Sequence, residues 1–302
     1  MQFLDPRIDF AFKKIFGSED AKDILISFLE SLLGLEGAYR ITELTLLDPF
    51  LAPRIRDLKY SILDVKCRDH RGISYIVEMQ IQKTTAFLKR IQYNAAKTYV
   101  HQIEKGEDHP KLNQVIAITI ADFPLFDGFT HCVSRHESRE TLTGQAFLQE
   151  ILYYFIELPK FDQSLDALTG VLDQWLFFLK HAGEMEAVPE TIQTAPIRHA
   201  FEKARVATMT AVELEIYDNA GIALTDAKGA LHLAREEGEQ IGREKGRQEG
   251  EQIGRVEGAR TLLRRHLERK SGSPLAAPLE SRLAAASLAD IKAWIDRLWD
   301  PG

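Results

Sequence analysis

The sequence predicts an α/β protein in which helices cover a mixed central sheet. Two segments alternate apolar and polar residues with the period of a strand, YSILDVKC (60–67) and ISYIVEMQIQ (73–82). A continuous apolar run, VIAITIAD (115–122), is typical of a buried central strand. Helical spacing of apolar residues precedes and follows the two alternating segments, so the chain order is helix, three strands, helix, strand.

Each element is placed from its apolar spacing and from the residues that end it. After Ser18, apolar residues recur at helical spacing up to Gly34, which predicts a helix. ITELTLLD (41–48) is predicted as a strand, which Pro49 ends. Three later elements follow from the same criteria: a helix over 85–105, a strand over 151–159 and a Trp-containing helix over 165–179.

The two alternating segments are predicted to be antiparallel neighbours, because the link between them is short and contains Gly72. Each segment carries a polar row. In the first, Ile62, Asp64 and Lys66 share one face, opposite Ser61, Leu63, Val65 and Cys67. In the second, the polar row is Glu78, Gln80 and Gln82. We expect the two polar rows to share one face of the sheet.

The second half of the chain has a different character. We predict a core domain over 1–180, a helical extension over 181–235, a glycine repeat over 236–260 and a small helical domain over 261–302. The repeat places glycine at every fourth position from 238 to 258. As a helix it would lose about 5 kcal/mol relative to alanine, so a packing partner is expected, and the chain is expected to form a homo-oligomer. A flexible linker is the alternative.

Composition bounds the class of protein. With 45% hydrophobic and 27% charged residues, the chain is not disordered throughout. MQFLDPRIDF lacks the pattern of a signal peptide, and no apolar run approaches the ~18 residues of a membrane span. We therefore expect a cytoplasmic protein that does not enter a membrane. The two cysteines, Cys67 and Cys132, lack paired metal-ligand spacing and are expected to be free thiols.

The charge is unevenly distributed. The net charge is −7, yet between Arg54 and Lys105 eleven Lys or Arg stand against five Asp or Glu, a local excess of +6. Such an excess suits a surface that neutralises the phosphates of DNA. A solvated surface produces the same count, so this alternative stays open.

Two carboxylates on the paired strands suggest a metal site. Asp64 and Glu78 are expected to converge on one divalent cation, Mg²⁺ or Mn²⁺, which prefers oxygen ligands. The backbone carbonyl of Met79, whose side chain points into the core, is a candidate third ligand. Such a site would activate water at a phosphodiester. Polar residues on a solvent-facing strand are the alternative. His131, Cys132 and His136 lack a fourth ligand, so we predict no zinc site there.

Several stretches carry a resemblance to a known family. They are DPRIDFAFKKIFGSED, LDVKCRD followed by YIVEMQ, RIQYNAAKTY and FIELPKF. Residues 1–180 resemble the Rpn family of recombination-promoting nucleases, also labelled transposases, and the D–X(13)–E–X–Q spacing resembles the PD-(D/E)XK signature with glutamine in the lysine position. LLRRHLERKSG through IKAWIDRLW resembles a small domain often appended to that family. The resemblance implies a restriction-endonuclease-like αβα sandwich and a Mg²⁺-dependent DNA endonuclease with little sequence preference.

The resemblance also assigns roles to residues. Asp64 and Glu78 would be metal ligands, and Gln80 would orient the attacking water or a phosphate oxygen. Since an amide carries no charge, Lys66 is the candidate that reaches the phosphate, and a solvent-facing Lys66 is the alternative. Asp9 is a candidate additional acid, or simply a helix-start carboxylate. Arg90, Tyr93 and Lys97, at helical spacing, would line the DNA groove. A structural tyrosine flanked by two solvated cations is the alternative.

Two other classes of function stay open. In one, the same fold binds DNA as a catalytically impaired accessory protein. In the other, the core supports a multimerising scaffold.

Overall fold

The computed structural model describes residues 2–51, 61–103 and 108–299 and confirms the predicted α/β fold. The helices are α1 Asp9–Phe16, α2 Lys22–Leu33, α3 Phe87–Val100, α4 Val171–His181, α5 Ala195–Lys203, α6 Ala211–Ser271, α7 Ala277–Ala285 and α8 Leu288–Trp299. The strands are β1 Leu44–Leu46, β2 Phe50–Leu51, β3 Ser61–Ile62, β4 Val65–Asp69, β5 Ser74–Gln80, β6 Val115–Ala121, β7 Val133–His136 and β8 Ile151–Glu157.

Six of the strands form one mixed sheet in the order β1-β4-β5-β6-β8-β7. β4 and β5 are antiparallel, with Val65 opposite Val77, as the alternation predicted. β5, β6 and β8 run parallel, and Glu78 lies beside Thr119 of β6. The outer pairs, β1 with β4 and β7 with β8, are antiparallel. β6 is buried along its whole length, which confirms the central strand expected from its apolar run.

Helices cover both faces of this sheet. On one face, α1, α2, α4 and α5 enclose the main core, where the rings of Phe28 and Trp175 meet edge to face at 6.0 Å. On the other face, α3 packs Phe87 and Ile91 over Ile76 of β5. Burying each of these side chains contributes about 1.5–3 kcal/mol. The result is the predicted αβα sandwich.

A tight hairpin sets the register of β4 against β5. Gly72 has φ +86°, a conformation that glycine adopts without strain, and its N–H donates to the carbonyl of Asp69. The buried carboxylate of Asp69 accepts from the hydroxyl of Tyr75 at 2.9 Å and from the N–H of Ile73 at 3.1 Å. The paired residues end at Val65 and Val77, so Asp64 and Glu78 follow directly beyond the same end of the strand pairing.

The strand predicted over 60–67 is interrupted, which corrects the sequence analysis. β3 ends at Ile62 and β4 begins at Val65, with a bend at Asp64. Leu63 consequently packs in the core beneath α3, whereas Val65 packs in the main core. These two residues were expected on the same face. The physical reason is that a side-chain oxygen of Asp64 accepts the N–H of Met79, which leaves the backbone ladder at this point.

The chain divides into two compact units, residues 1–226 and 227–302. In the first unit, α5 buries Ile197 and Phe201 in the main core, and the first turns of α6 place Tyr217 there. This stretch falls in the segment predicted as a separate extension over 181–235. The described helices include none with the length and apolarity to cross a membrane.

The second unit contains most of α6 and the two terminal helices. The glycine repeat is helical throughout, which favours the helix over the linker alternative. Glu239 pairs with Arg243 at 3.6 Å on its surface, as the i,i+4 spacing predicts. α7 and α8 pack on the end of α6 through Leu263, Leu283, Ala286 and Ile291.

Candidate active site

The candidate site lies at the bend between β3 and β4, beside the end of β5. Asp64 Oδ2 accepts a hydrogen bond from the backbone N–H of Met79 at 2.8 Å. The side chain of Asp64 is 16% exposed, and its Oδ2 is fixed to β5. An aspartate at the bend therefore occupies the place that a backbone carbonyl would have in an unbroken strand.

Glu78 lies on the face of β5 that α3 covers and is 6% exposed. The side-chain amide of Asn94, from α3, donates to Glu78 Oε1 at 3.0 Å. Asn94 faces the sheet because it falls among the buried positions of α3, with Ile91 and Ala95 beside it. The amide thus fixes the direction of a buried carboxylate.

Helix α1 adds an acidic residue and a basic residue to the site. Asp9, its first residue, lies one turn before Lys13, and their charged groups are 2.8 Å apart. The Nζ of Lys13 also lies 3.7 Å from Asp64 Oδ1. The structure therefore brings Asp9 near Asp64, with Lys13 between the two carboxylates.

Burial raises the pKa of both predicted metal ligands. Burial raises the pKa of Asp64 to about 7, and the charges of Asp9 and Glu78 add to the shift, while the hydrogen bond from Met79 and the charge of Lys13 oppose it. Burial also raises the pKa of Glu78 above its ordinary value, against the hydrogen bond from Asn94 and the charge of Arg90. A cation beside Asp64 and Glu78 would favour the ionised form of both carboxylates.

The donor set fits a hard divalent cation. A residue in a strand directs its N–H and C=O to the same neighbour, so the carbonyl of Met79 lies on the edge of β5 that faces Asp64. Asp64, Glu78 and this carbonyl are oxygen donors, the type that Mg²⁺ and Mn²⁺ prefer, and Mg²⁺ commonly takes one or two carboxylates and keeps several waters. Within residues 2–51, 61–103 and 108–299, no three or more His, Cys, Asp or Glu form a metal-binding group.

Comparison with known proteins identifies the family. The model of one family, described as PD-(D/E)XK nuclease family transposase, matches residues 6–234. The chain belongs to this family. Neither the curated proteins nor the solved structures contain a significant match. The match covers the sheet, the helices around it and the first part of α6, so the site lies inside the region that defines a PD-(D/E)XK nuclease family transposase.

Membership implies a nuclease-like function with DNA as substrate, and nucleases of the PD-(D/E)XK type generally use divalent metal ions. The position that the family resemblance predicts for the signature lysine is Gln80 in this chain. Gln80 Oε1 accepts a hydrogen bond from the guanidinium of Arg90 on α3. The amide therefore sits beside a cation, although it carries no charge itself.

Lys66, the predicted substitute for that lysine, lies on β4 opposite Ile76. Burial and the neighbouring charge of Arg68 lower its pKa, and Asp48 opposes them. The charge of Lys13, by contrast, acts on Asp64. Asp64 is thus hydrogen-bonded to β5, which bears Glu78 and Gln80, while Lys66 lies on the adjacent strand β4.

The predicted DNA-contact residues lie along α3. Arg90 and Tyr93 are exposed, and the ammonium of Lys97 lies 5.7 Å from the ring of Tyr93. This exposed row adjoins the site through the contact of Arg90 with Gln80. Several members of the basic segment, Arg54, Arg56, Lys59 and Lys105, lie outside the described residues.

Lys13 and Asn94 were not among the site residues predicted from the sequence. Lys13 had a signal, because it follows Asp9 by one helical turn within the stretch that carries the family resemblance. Asn94 had a fainter signal, a polar residue at a position of α3 whose neighbours in the helical pattern are apolar.

Proposed function

We propose that this chain is a metal-dependent DNA endonuclease with low sequence preference, acting in recombination or mobile-element processes in the cytoplasm. The observation that carries the proposal is the hydrogen bond from the N–H of Met79 to Asp64, because it joins the carboxylate of Asp64 to the strand that bears the buried carboxylate of Glu78. The pKa of each carboxylate is raised. The family description, nuclease and transposase, supports the reaction and its setting. Contacts to phosphate oxygens along α3 would carry no sequence information, which fits low preference.

In this proposal, Asp64, Glu78 and the carbonyl of Met79 hold Mg²⁺ or Mn²⁺. When bound, the ion supplies a water of lowered pKa and positive charge near the phosphate. Gln80 orients the attacking water or a phosphate oxygen through its amide, and Arg90 fixes that amide. Asn94 fixes Glu78, and Asp9 adds negative charge beside Asp64. Lys66, two residues along from Asp64, is retained as a second contact to the DNA backbone.

Nicking of supercoiled plasmid tests the proposal. We compare wild type with Asp64→Asn in Mg²⁺, Mn²⁺ and EDTA, because asparagine keeps the shape of the side chain and an oxygen for Met79 but removes the charge. Asp166→Asn, at an exposed carboxylate of the short turn 165–167, is the matched control. We expect metal-dependent nicking by wild type and by the control, and none by Asp64→Asn. A folded wild type that nicks under no condition refutes the nuclease.

The same experiment separates two other functions. A DNA-binding accessory protein would bind DNA in EDTA and nick under no condition. We retain this alternative because Gln80 stands at the position predicted for the signature lysine. A scaffold would do neither. Binding of labelled duplex in EDTA distinguishes the two.

We also propose that the glycine repeat makes the protein a homo-oligomer. The repeat is helical, and around each of its six glycines the space that a Cβ would fill is open among the described residues. Close approach of a second helix would offset the poor helix propensity of glycine. Removing residues 236–258 is expected to lower the mass measured by light scattering to that of a single chain. An unchanged mass, after correction for the deleted residues, counts against this oligomer.

A further inference from the structure

The side chain of Lys13 lies against the candidate site from α1. Its Nζ is 2.8 Å from Asp9 Oδ1 and 3.7 Å from Asp64 Oδ1. The opposite face of α1 is anchored in the main core by Phe12, Ile15 and Phe16. The helix is thus fixed, while a side chain that is 39% exposed keeps a flexible stem and contact with solvent.

The site requires a positive charge that its signature position does not provide. In phosphodiester hydrolysis, negative charge develops on the phosphate oxygens, and a cation aimed at them stabilises the transition state. Gln80 is neutral, and its amide oxygen is occupied by Arg90. The neighbouring charges that shift the pKa of Lys66 are those of Arg68 and Asp48. Among the described residues, Lys13 is the lysine whose ammonium lies against Asp64, 3.7 Å from its Oδ1.

We propose that Lys13 is the catalytic cation of this site, in place of the lysine that Gln80 replaces. In the resting protein its ammonium balances Asp9 and Asp64. When another cation balances these carboxylates, the flexible stem of Lys13 carries the ammonium to a non-bridging oxygen of the scissile phosphate. The inference rests on the nuclease function proposed above, and it assigns the charge in that reaction to a helix outside the strand pair.

A structural role for Lys13 makes a different prediction. If Lys13 only fastened α1 to the sheet, its removal would disturb Asp64 and weaken metal binding together with nicking. If Lys13 competes with the metal for the carboxylates in the resting state and then serves the phosphate, its removal strengthens metal binding and abolishes nicking. The two readouts move in opposite directions only for the catalytic role.

The experiment uses the full-length chain with Lys13→Met, Lys13→Gln and the control Lys14→Met. Lys14 lies on the same helix and has the same charge, but it pairs with Glu213 of α6. Mn²⁺ affinity is measured by electron paramagnetic resonance and nicking under single-turnover conditions at saturating metal. Thermal unfolding identifies variants that remain folded, and Lys13→Gln, which keeps a polar side chain, serves if the methionine variant does not.

We expect the neutral Lys13 variants to bind Mn²⁺ about two- to fivefold more tightly, as loss of a partly exposed ion pair permits. Nicking should fall by about a hundredfold or more, the usual effect of removing one group that stabilises developing charge. Adding Gln80→Lys to Lys13→Met should restore nicking at least tenfold, because it returns a cation to the signature position. Lys14→Met should match wild type in both readouts.

Three results overturn the inference: wild-type nicking by the neutral variants, weaker Mn²⁺ binding that accounts for their lost nicking, or no recovery with Gln80→Lys. Asp64→Asn, measured in parallel, keeps the two proposals apart. If wild type nicks and Asp64→Asn does not, the nuclease stands and Lys13 is judged separately. If wild type does not nick, the nuclease fails, and unchanged or weaker Mn²⁺ binding by the Lys13 variants then rejects the resting-state contact as well.

Discussion

The amide of Asn94 donates to Glu78 Oε1 at 3.0 Å, joining α3 to β5 in the interior of the protein. Both side chains are nearly inaccessible, at 4% and 6% exposure. A buried carboxylate without partners would lie in any of several rotamers, but this hydrogen bond selects one. The carbonyl oxygen of the same amide is buried without a partner among the described residues, so Asn94 serves Glu78 alone.

Asn94→Ala is therefore expected to weaken metal binding rather than to unfold the protein. Loss of a residue that orients a metal ligand typically lowers metal affinity or activity ten- to a hundredfold. Titration with Mn²⁺ and plasmid nicking measure the two effects. Gln92→Ala, at an exposed position on α3, is the control and should behave as wild type. Wild-type Mn²⁺ affinity in Asn94→Ala would show that Glu78 does not need this orientation.

The exposed row on α3 predicts how DNA binding depends on salt. A lysine that contacts a phosphate releases a counterion, so Lys97→Ala should reduce the slope of log affinity against log salt concentration by about one. Tyr93→Ala removes no charge and should weaken binding without changing the slope. Binding is measured with labelled duplex in EDTA over a range of salt concentrations.

The control for this series is Lys111→Ala, which removes an exposed cation just before the start of β6. It should leave both affinity and slope unchanged. Equal effects of Lys97→Ala and Lys111→Ala would indicate a general attraction to charge and no groove along α3.

Glu157 predicts a pH dependence of stability. It ends β8 and is fully buried; its carboxylate accepts from the N–H of Leu125 at 2.6 Å and from Lys160 at 2.8 Å. Burial alone would raise the pKa of Glu157, but the hydrogen bonds from Lys160 and from the backbone outweigh it and hold the pKa below its usual value of 4.5. The stabilisation is thus present above the ordinary glutamate pKa and is lost as pH falls through the lowered one.

Glu157→Gln should accordingly reduce the free energy of unfolding by about 1–3 kcal/mol at pH 7, since Lys160 loses its charged partner. The difference from wild type should shrink as the pH falls below 4.5, because the wild-type carboxylate then becomes protonated and loses its charge, as the glutamine side chain has none. Urea unfolding at pH 7 and at progressively lower pH measures both. Glu190→Gln, at an exposed position, is the control. A difference that stays constant with pH would exclude the ion pair as its source.

Local periodicity was sufficient to predict the frame of the site. Alternation along β4 and β5 and the short link at Gly72 determine an antiparallel pair, and the i,i+2 spacing puts Glu78 and Gln80 on one face. The apolar run of β6 determines its central position in the same way. These features depend on residues that are close in sequence, so they can be predicted from the sequence of one chain.

The bend at Asp64 could not be read from periodicity. Alternation continues through YSILDVKC, and only the pairing of a side-chain oxygen with Met79 breaks the ladder there. Lys13 and Asn94 could not be predicted from periodicity either, because each contacts a residue far along the chain. Lys13 is 51 positions from Asp64 and Asn94 is 16 from Glu78. Only the packing of α1 and α3 on the sheet creates these contacts.

The glycine repeat of α6 gives a prediction in which helix stability and association change in opposite directions. Alanine at all six positions, 238, 242, 246, 250, 254 and 258, should stabilise the isolated helix by about 5 kcal/mol, at 0.8–1 kcal/mol each. If the glycines instead allow two backbones to approach closely, six methyl groups would separate the helices. The alanine variant should therefore show higher helicity by circular dichroism and weaker association by sedimentation equilibrium.

The control for this variant replaces three glutamines on the same exposed helix, Gln240→Ala, Gln248→Ala and Gln252→Ala, and should leave the association unchanged. An alanine variant that associates as tightly as wild type would mean that the glycines do not form the contact between chains.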